Sequence, residues 1–271
     1  MRNLTRNSMF CEHISRVSRC AAFTMVEILA SIAILMIMVL IIARIFIGLN
    51  AVWDSGTETV ETVNTAWSAL SMMQFDLEQA VADNTLRFIV RPDRQLADLF
   101  GTHPSEICFV SLQHHINSTA RAVREIMYWI SETPDSPGTY QLMRGYRELS
   151  DGLHTNSPEN CYWNPDWYTN DYPVHAGVIA DNVTAFYLSV ATNANGELLS
   201  AYDSTLNEGT LPCSIDIYLE LVDRSIALKI ADMIQQTNKC YEMIEKYARR
   251  FNVRITFPNR TGYAAKYSYN Q

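Results

Sequence analysis

Glu27 is the residue whose chemistry stands furthest from its surroundings. It lies within "AAFTMVEILASIAILMIMVLIIARIFIGL", residues 21–49, a stretch otherwise suited to a lipid bilayer. An unpaired carboxylate in that setting costs about 3 kcal/mol or more, so an acid placed there points to function. A second candidate is the loop "CYWNPDWYTNDY" (161–172), where Asp166, Asn170 and Asp171 could offer oxygens to calcium. Their spacing is not that of an EF-hand, and loops rich in Asn and Asp are commonly turns. The aromatics Trp163, Trp167 and Tyr168 in the same loop could instead form a contact surface for another subunit. His114 and His115 are adjacent, so on a strand they point to opposite faces and cannot chelate one ion together. Asp76 and Glu78 are two apart on a helical pattern and share no face, which makes them solvated charges. The patterns GxSxG, HExxH, GxxxxGK[ST] and GxGxxG are all absent, so the chain is expected to be no enzyme and to carry no cofactor or metal.

Those residues sit in a chain of 271 residues, 48% hydrophobic and 18% charged, with a formal net charge of −8. The charge is unevenly spread: residues 1–22 hold Arg2, Arg6, Arg16 and Arg19 against Glu12 alone. A basic head before an apolar stretch stays in the cytoplasm and sends the chain beyond that stretch across the membrane. The acidic remainder argues against nucleic acid, whose phosphates need a basic surface. Cysteines at 108, 161, 213 and 240 fall in the part expected to be exported. Disulfides can form there, and two bridges or buried free thiols are both open.

As one helix, Phe23–Leu49 would span roughly 40 Å, enough to cross a bilayer once. Arg44 lies near its outer end, where its stem can snorkel toward the headgroups. The helix is expected to loosen at Asp54-Ser55-Gly56. Beyond it Val60, Val63, Trp67, Leu70, Met73, Leu77 and Val81 repeat at helical steps, giving an exported helical segment (50–84) with its stripe against a sheet. Strand patterns occur next at 86–90, 106–113, 122–131, 140–148, 178–191 and 211–222; the alternation in Ile215–Leu221 is strict. Turn-rich stretches between them suit hairpins and an antiparallel sheet. Residues 151–177 read as a long irregular loop, 224–250 as a helix with a break at Thr237-Asn238, and 252–258 as a closing strand.

Ala22-Phe23-Thr24-Met25-Val26-Glu27, after a basic leader and before an unbroken apolar helix, resembles the prepilin-type cleavage and methylation motif of type IV pilins and type II secretion pseudopilins. "AWSALSMMQFDLEQA" (66–80) and the strand series are similar to those of J-type minor pseudopilins. The helix before the last strand is similar to that of the prepilin-type Verru_Chthon cassette protein C family. Ala22 stands where the pilin families usually carry glycine.

The resemblance implies an α+β pilin-like fold: a long N-terminal helix packed on an antiparallel sheet, with an extra C-terminal helix before the last strand. It divides the chain into a cleaved leader (1–22), a transmembrane assembly helix (23–49), an exported helical segment (50–84) and a globular head (85–271). It implies cleavage by prepilin peptidase between Ala22 and Phe23 and N-methylation of Phe23. It also implies pairing of Glu27 with the N-terminal ammonium of a neighbouring subunit. The partners implied are other pilin or pseudopilin subunits, the peptidase, an inner-membrane assembly platform and membrane lipid. The location implied is a single inner-membrane pass, N-terminus inside, with the head in the periplasm or at the cell surface. A large head packs poorly at every step of a helical filament, which favours a minor subunit at the tip. The rival is a signal-anchored periplasmic enzyme or ligand-binding protein in which the motif is a coincidence.

Overall fold

Neither glycine nor proline interrupts the chain between Met25 and Ile47, and helix α1 runs unbroken from Met25 to Glu78. The computed structural model describes residues 24–83, 86–92, 105–114, 121–133, 138–148, 175–192 and 197–257. They belong to two compact units that part between Asp54 and Ser55. In the first unit every described residue is exposed. Among the described residues, α1 alone is long and apolar enough to cross a membrane. The expected loosening at Asp54–Gly56 does not occur; one glycine costs a helix only about 1 kcal/mol, which this length absorbs.

The second unit is α+β. Its helical part buries Ala66, Ala69, Leu70, Met73, Asp76 and Leu77, three or four residues apart and therefore on one face. Leu70, Met73 and Leu77 are where the sequence pattern puts them, whereas Val60 and Trp67 are 58% and 52% exposed. Two alanines, Ala66 and Ala69, occupy the buried face instead, and their small side chains bring the backbone close to the sheet. The helix also stops earlier than expected: Ala80–Val81 is already a strand, with Ala80 opposite Ser111 and Val81 opposite Val110.

The sheet contains β1 (Ala80–Val81), β2 (Ile89–Pro92), β3 (Ser105–His114), β4 (Arg121–Glu132), β5 (Tyr140–Glu148), β6 (His175–Ala191), β7 (Leu198–Leu199), β8 (Tyr202–Asp203), β9 (Ser214–Leu221) and β10 (Arg249–Thr256). The pairings are antiparallel, in the order β10-β9-β6-β5-β4-β3-β2-β8, with β1 beside β3 and β7 beside β6. β7 lies against β6 and β8 against β2, although only Ser200 and Ala201 separate them. Such a short link between distant strands requires the sheet to curl. Phe257, just past β10, accordingly meets Phe88, just before β2, edge to face at 5.5 Å. The curl encloses Phe88, Phe109, Ile126, Leu142, Phe186 and Ile217 together with the buried face of α1.

β9 shows how alternation builds this core. Ile215, Ile217, Leu219 and Leu221 face inward, while Asp216 and Glu220 meet Arg254 and Arg250 across the β9–β10 pair. β6 serves two neighbours in turn, β5 with its first half and β9 with its second. The change occurs at a bulge beside Asn182, whose φ of 56° lies in the left-handed region that asparagine tolerates.

Between β9 and β10 stand α2 (Arg224–Asp232) and α3 (Thr237–Tyr247), packed on each other through Ile226, Ala227, Ile230, Cys240 and Ile244. The break precedes Thr237, which opens α3. Arg249 and Arg250, expected at the end of the helix, begin β10 opposite Leu221 and Glu220. The ion pair of Arg250 with Glu220 at 2.8 Å accompanies that strand register. Gly138, in the turn after β4, has φ +87°, and a Cβ there would come within 3.0 Å of Ile234. Cys108, Cys213 and Cys240 are free thiols; Cys161 lies outside the described residues.

Candidate functional site

Thr24 caps the start of α1. The Glu27 N–H donates to the Thr24 carbonyl at 3.0 Å and to its Oγ1 at 3.3 Å, and Ser31 Oγ donates to the Glu27 carbonyl at 2.8 Å. Glu27 is thus the third helical residue after a threonine cap, the T-x-x-E arrangement in which the helix dipole favours an acid. Among the described residues, no basic side chain forms an ion pair with its carboxylate. From Met25 to Trp53 the only other charged residue is Arg44, seventeen positions along the same helix. Ala22, Phe23, His115, Asp166, Asn170 and Asp171 lie outside the described residues, as does the whole aromatic stretch 161–172.

The second unit treats its helical acid differently. Asp76, expected to be solvated, is 1% exposed. Its Oδ2 accepts hydrogen bonds from the Tyr128 hydroxyl and from Arg144 Nε, the latter at 2.7 Å, and Ser111 Oγ donates to its carbonyl at 3.2 Å. Tyr128 and Arg144 are cross-strand partners in β4 and β5, so their side chains leave the sheet on the same face. Burial, reinforced by the Asp76 anion, raises the Tyr128 hydroxyl above its ordinary range and keeps it a donor. Burial opposes the Arg144 charge most strongly, but the hydrogen bonds and charges of Asp76 and Tyr128 together outweigh it and hold the guanidinium above its usual value. Glu78 behaves as expected, exposed and bonded to Gln74 at 2.8 Å.

A second polar anchor holds the helix further back. Thr59 Oγ1 donates to Asp223 at 3.3 Å and accepts from Arg249 at 2.8 Å, while Arg249 and Asp223 pair at 3.3 Å. Burial works against the Asp223 charge, yet hydrogen bonds from Arg249, Thr62 and Thr59 hold its carboxyl below the usual range. Asp223 precedes α2 without capping it through its side chain, because that side chain is committed to Thr59 and Arg249. Thr59 and Asp76 are about 26 Å apart along the helix, so the second stretch of α1 is fixed at two points.

The opposite face of the sheet carries Cys108, Met127 and Trp129, packed together, with Glu125 beside them. Glu125 is fully buried, and neither of its oxygens accepts a hydrogen bond; Arg147 is 3.8 Å away. Burial raises its carboxyl to about 7, with Arg147 opposing. Burial likewise pushes the Cys108 thiol up to about 12, so it is not a thiolate at neutral pH. Among the described residues no three His, Cys, Asp or Glu side chains converge on a metal position.

Sequence reasoning missed Asp76, Tyr128 and Arg144 as a cluster. The signal was the phase of Asp76, three residues after Met73 and seven after Ala69, on the face that packs. No family model matches this chain, and no curated protein matches it.

Proposed function

We propose that this chain is a minor subunit of a type II secretion pseudopilus or a type IV pilus-like filament, positioned at or near the tip. Prepilin peptidase cuts it between Ala22 and Phe23, Phe23 becomes the methylated N-terminus, and Glu27 pairs with the terminal amine of a neighbouring subunit. The leader stays in the cytoplasm, α1 passes once through the inner membrane, and the α+β unit is exported.

The observation that carries this reading is Glu27, an acid at the head of a helix whose next sixteen residues contain no charge. A carboxylate that meets an ammonium in a low-dielectric setting is far less costly than one left alone. Pairing with another subunit therefore favours the assembled state over the isolated one. The helical stretch from Ser55 to Glu78, fixed to its sheet at Thr59 and Asp76, suits a rod that carries load into the exported unit.

The test is Glu27→Ala in the native host. The variant is expected to be cut normally yet to disappear from sheared filaments; incorporation at the wild-type level would refute the pairing.

A further inference from the structure

We infer that the free edge of β10 is the docking site of this chain's own C-terminal stretch, residues 263–270, which adds to the sheet as an antiparallel neighbour. The inference holds whether or not the chain enters a filament. β10 ends the strand order, and among the described residues no strand pairs with its far edge. The Phe257 N–H donates to the Cys213 carbonyl at 3.1 Å, in step with the β9–β10 register. Odd-numbered residues of β10 therefore turn their backbone groups to β9, and the N–H and C=O groups of Arg250, Asn252, Arg254 and Thr256 point to the free edge. Such an edge is an open template for another strand, which natural proteins cover or blunt. Arg250 and Arg254, the charges that could blunt it, are already held by Glu220 and Asp216. The inward row of the same strand is unfinished. Ile255 and Phe257 are buried, with Phe88 against Phe257, whereas Phe251 and Val253 are half-buried. Trp67 of α1 packs edge to face on Phe251 at 6.0 Å and is still 52% exposed.

The occupant is argued from the sequence that follows β10. Residues 258–271 lie outside the described residues. Pro258, Asn259 and Gly262 are turn formers. Beyond them Tyr263, Ala265, Tyr267 and Tyr269 alternate with Ala264, Lys266, Ser268 and Asn270, a strand's period of two. A hairpin that sets Phe257 opposite Tyr263 also sets Val253 opposite Tyr267 and Phe251 opposite Tyr269. The alanines then meet the closed end of the edge, at Ile255 and Thr256. The tyrosines meet the open end and cover Trp67, while Lys266, Ser268 and Asn270 join the polar outer row. A slip of one residue would turn Lys266 inward against Val253, so the pattern selects this register. Pro258 has no N–H, which places the first hydrogen-bonded pair at Thr256 and Ala264. So short a connection gives the chain's own segment a high effective concentration at the edge, ahead of the same segment from a second copy.

Hydrogen exchange resolved to single amides tests this, comparing the full chain in detergent micelles with a chain ending at Phe257. The amides of Asn252, Arg254 and Thr256 are expected to exchange at least about tenfold more slowly in the full chain. Those of Phe251, Val253 and Ile255, which face β9, should be equally slow in both and so report that the sheet is intact. Ser268→Pro, which removes the donor opposite Asn252, should speed exchange at Asn252 while sparing Val253. Even-numbered amides that exchange alike with and without residues 258–271 would overturn the docking. A disulfide gives a second measurement that does not depend on truncation. Val253 and Tyr267 would form a non-hydrogen-bonded pair, whose Cα atoms approach to about 4.5 Å, within disulfide reach. Val253→Cys with Tyr267→Cys in one chain should therefore oxidise to an intrachain bridge, found by mass spectrometry of the monomer. No bridge, or a bridge only between chains, would overturn the assignment.

Discussion

The two stretches of α1, Met25–Asp54 and Ser55–Glu78, are one helix under two regimes. In the first every residue is exposed, and the acid at its head meets no cation among the described residues. In the second the acid near its end is buried and answered by a tyrosine and an arginine of the same chain. The difference teaches how a sequence divides its obligations. A charge whose partners lie within the fold contributes to stability, whereas one whose partner is missing from the fold requires a partner from outside. Asp76 is of the first kind, and under the proposed function Glu27 is of the second.

Breaking the internal pairing should give the largest effect. Asp76→Ala leaves Tyr128 and Arg144 facing a void in a buried site and is expected to cost about 3–5 kcal/mol. Chemical denaturation of the full chain in detergent micelles would measure this. Replacing both charges with apolar residues of similar volume, Asp76→Leu with Arg144→Met, should recover most of the loss. The corresponding change at Glu27 should leave the stability of the α+β unit untouched, because the hydrogen bonds of Glu27 are to Thr24 and Ser31.

Glu125 gives the next largest effect and adds a pH axis. Its folded carboxyl titrates near 7 against an ordinary value of 4.5, so the folded state holds the proton more tightly than the unfolded chain. Its stabilising contribution is full below about pH 4.5 and is lost as pH rises through 7, a change of about 3 kcal/mol. Glu125→Gln should flatten that part of the stability–pH curve; an unchanged slope would show that Glu125 is not its source.

Asp223→Ala removes a half-exposed ion pair with Arg249 and the bond to Thr59, for about 1 kcal/mol. The smallest effect belongs to the first stretch: Ile37→Ser should shift the stability of the α+β unit by no more than about 0.5 kcal/mol. A larger shift would mean that the two stretches are not energetically separate.

Much of this division was legible in the sequence. β5 occupies the expected 140–148, and the alternation of Ile215–Leu221 gives β9 with its inward and outward faces, because a strict period of two leaves one arrangement. The α+β class was what the resemblance implied, and the change of period after the helix is its trace in the sequence. The parts that were not legible depended on contacts distant in sequence. β1, β7 and β8 have two residues each and exist through their partners, with no pattern of their own. The buried face of α1 runs through Ala66 and Ala69 because closeness to the sheet outweighed the bulk of Val60 and Trp67. Asp76 looked solvated by its type alone, while Tyr128 and Arg144, 52 and 68 residues away, decide its role. Arg249 and Arg250 have helix-compatible types, and the acids opposite them in space belong to β9 and the turn after it.

Under the proposed function, Glu27 awaits a partner created by processing. Mass analysis of the N-terminal peptide of the protein purified from its native host tests it most directly. A mature chain that begins at Phe23 with a methylated amine is expected. An intact leader, or a cut after Leu49, would contradict it.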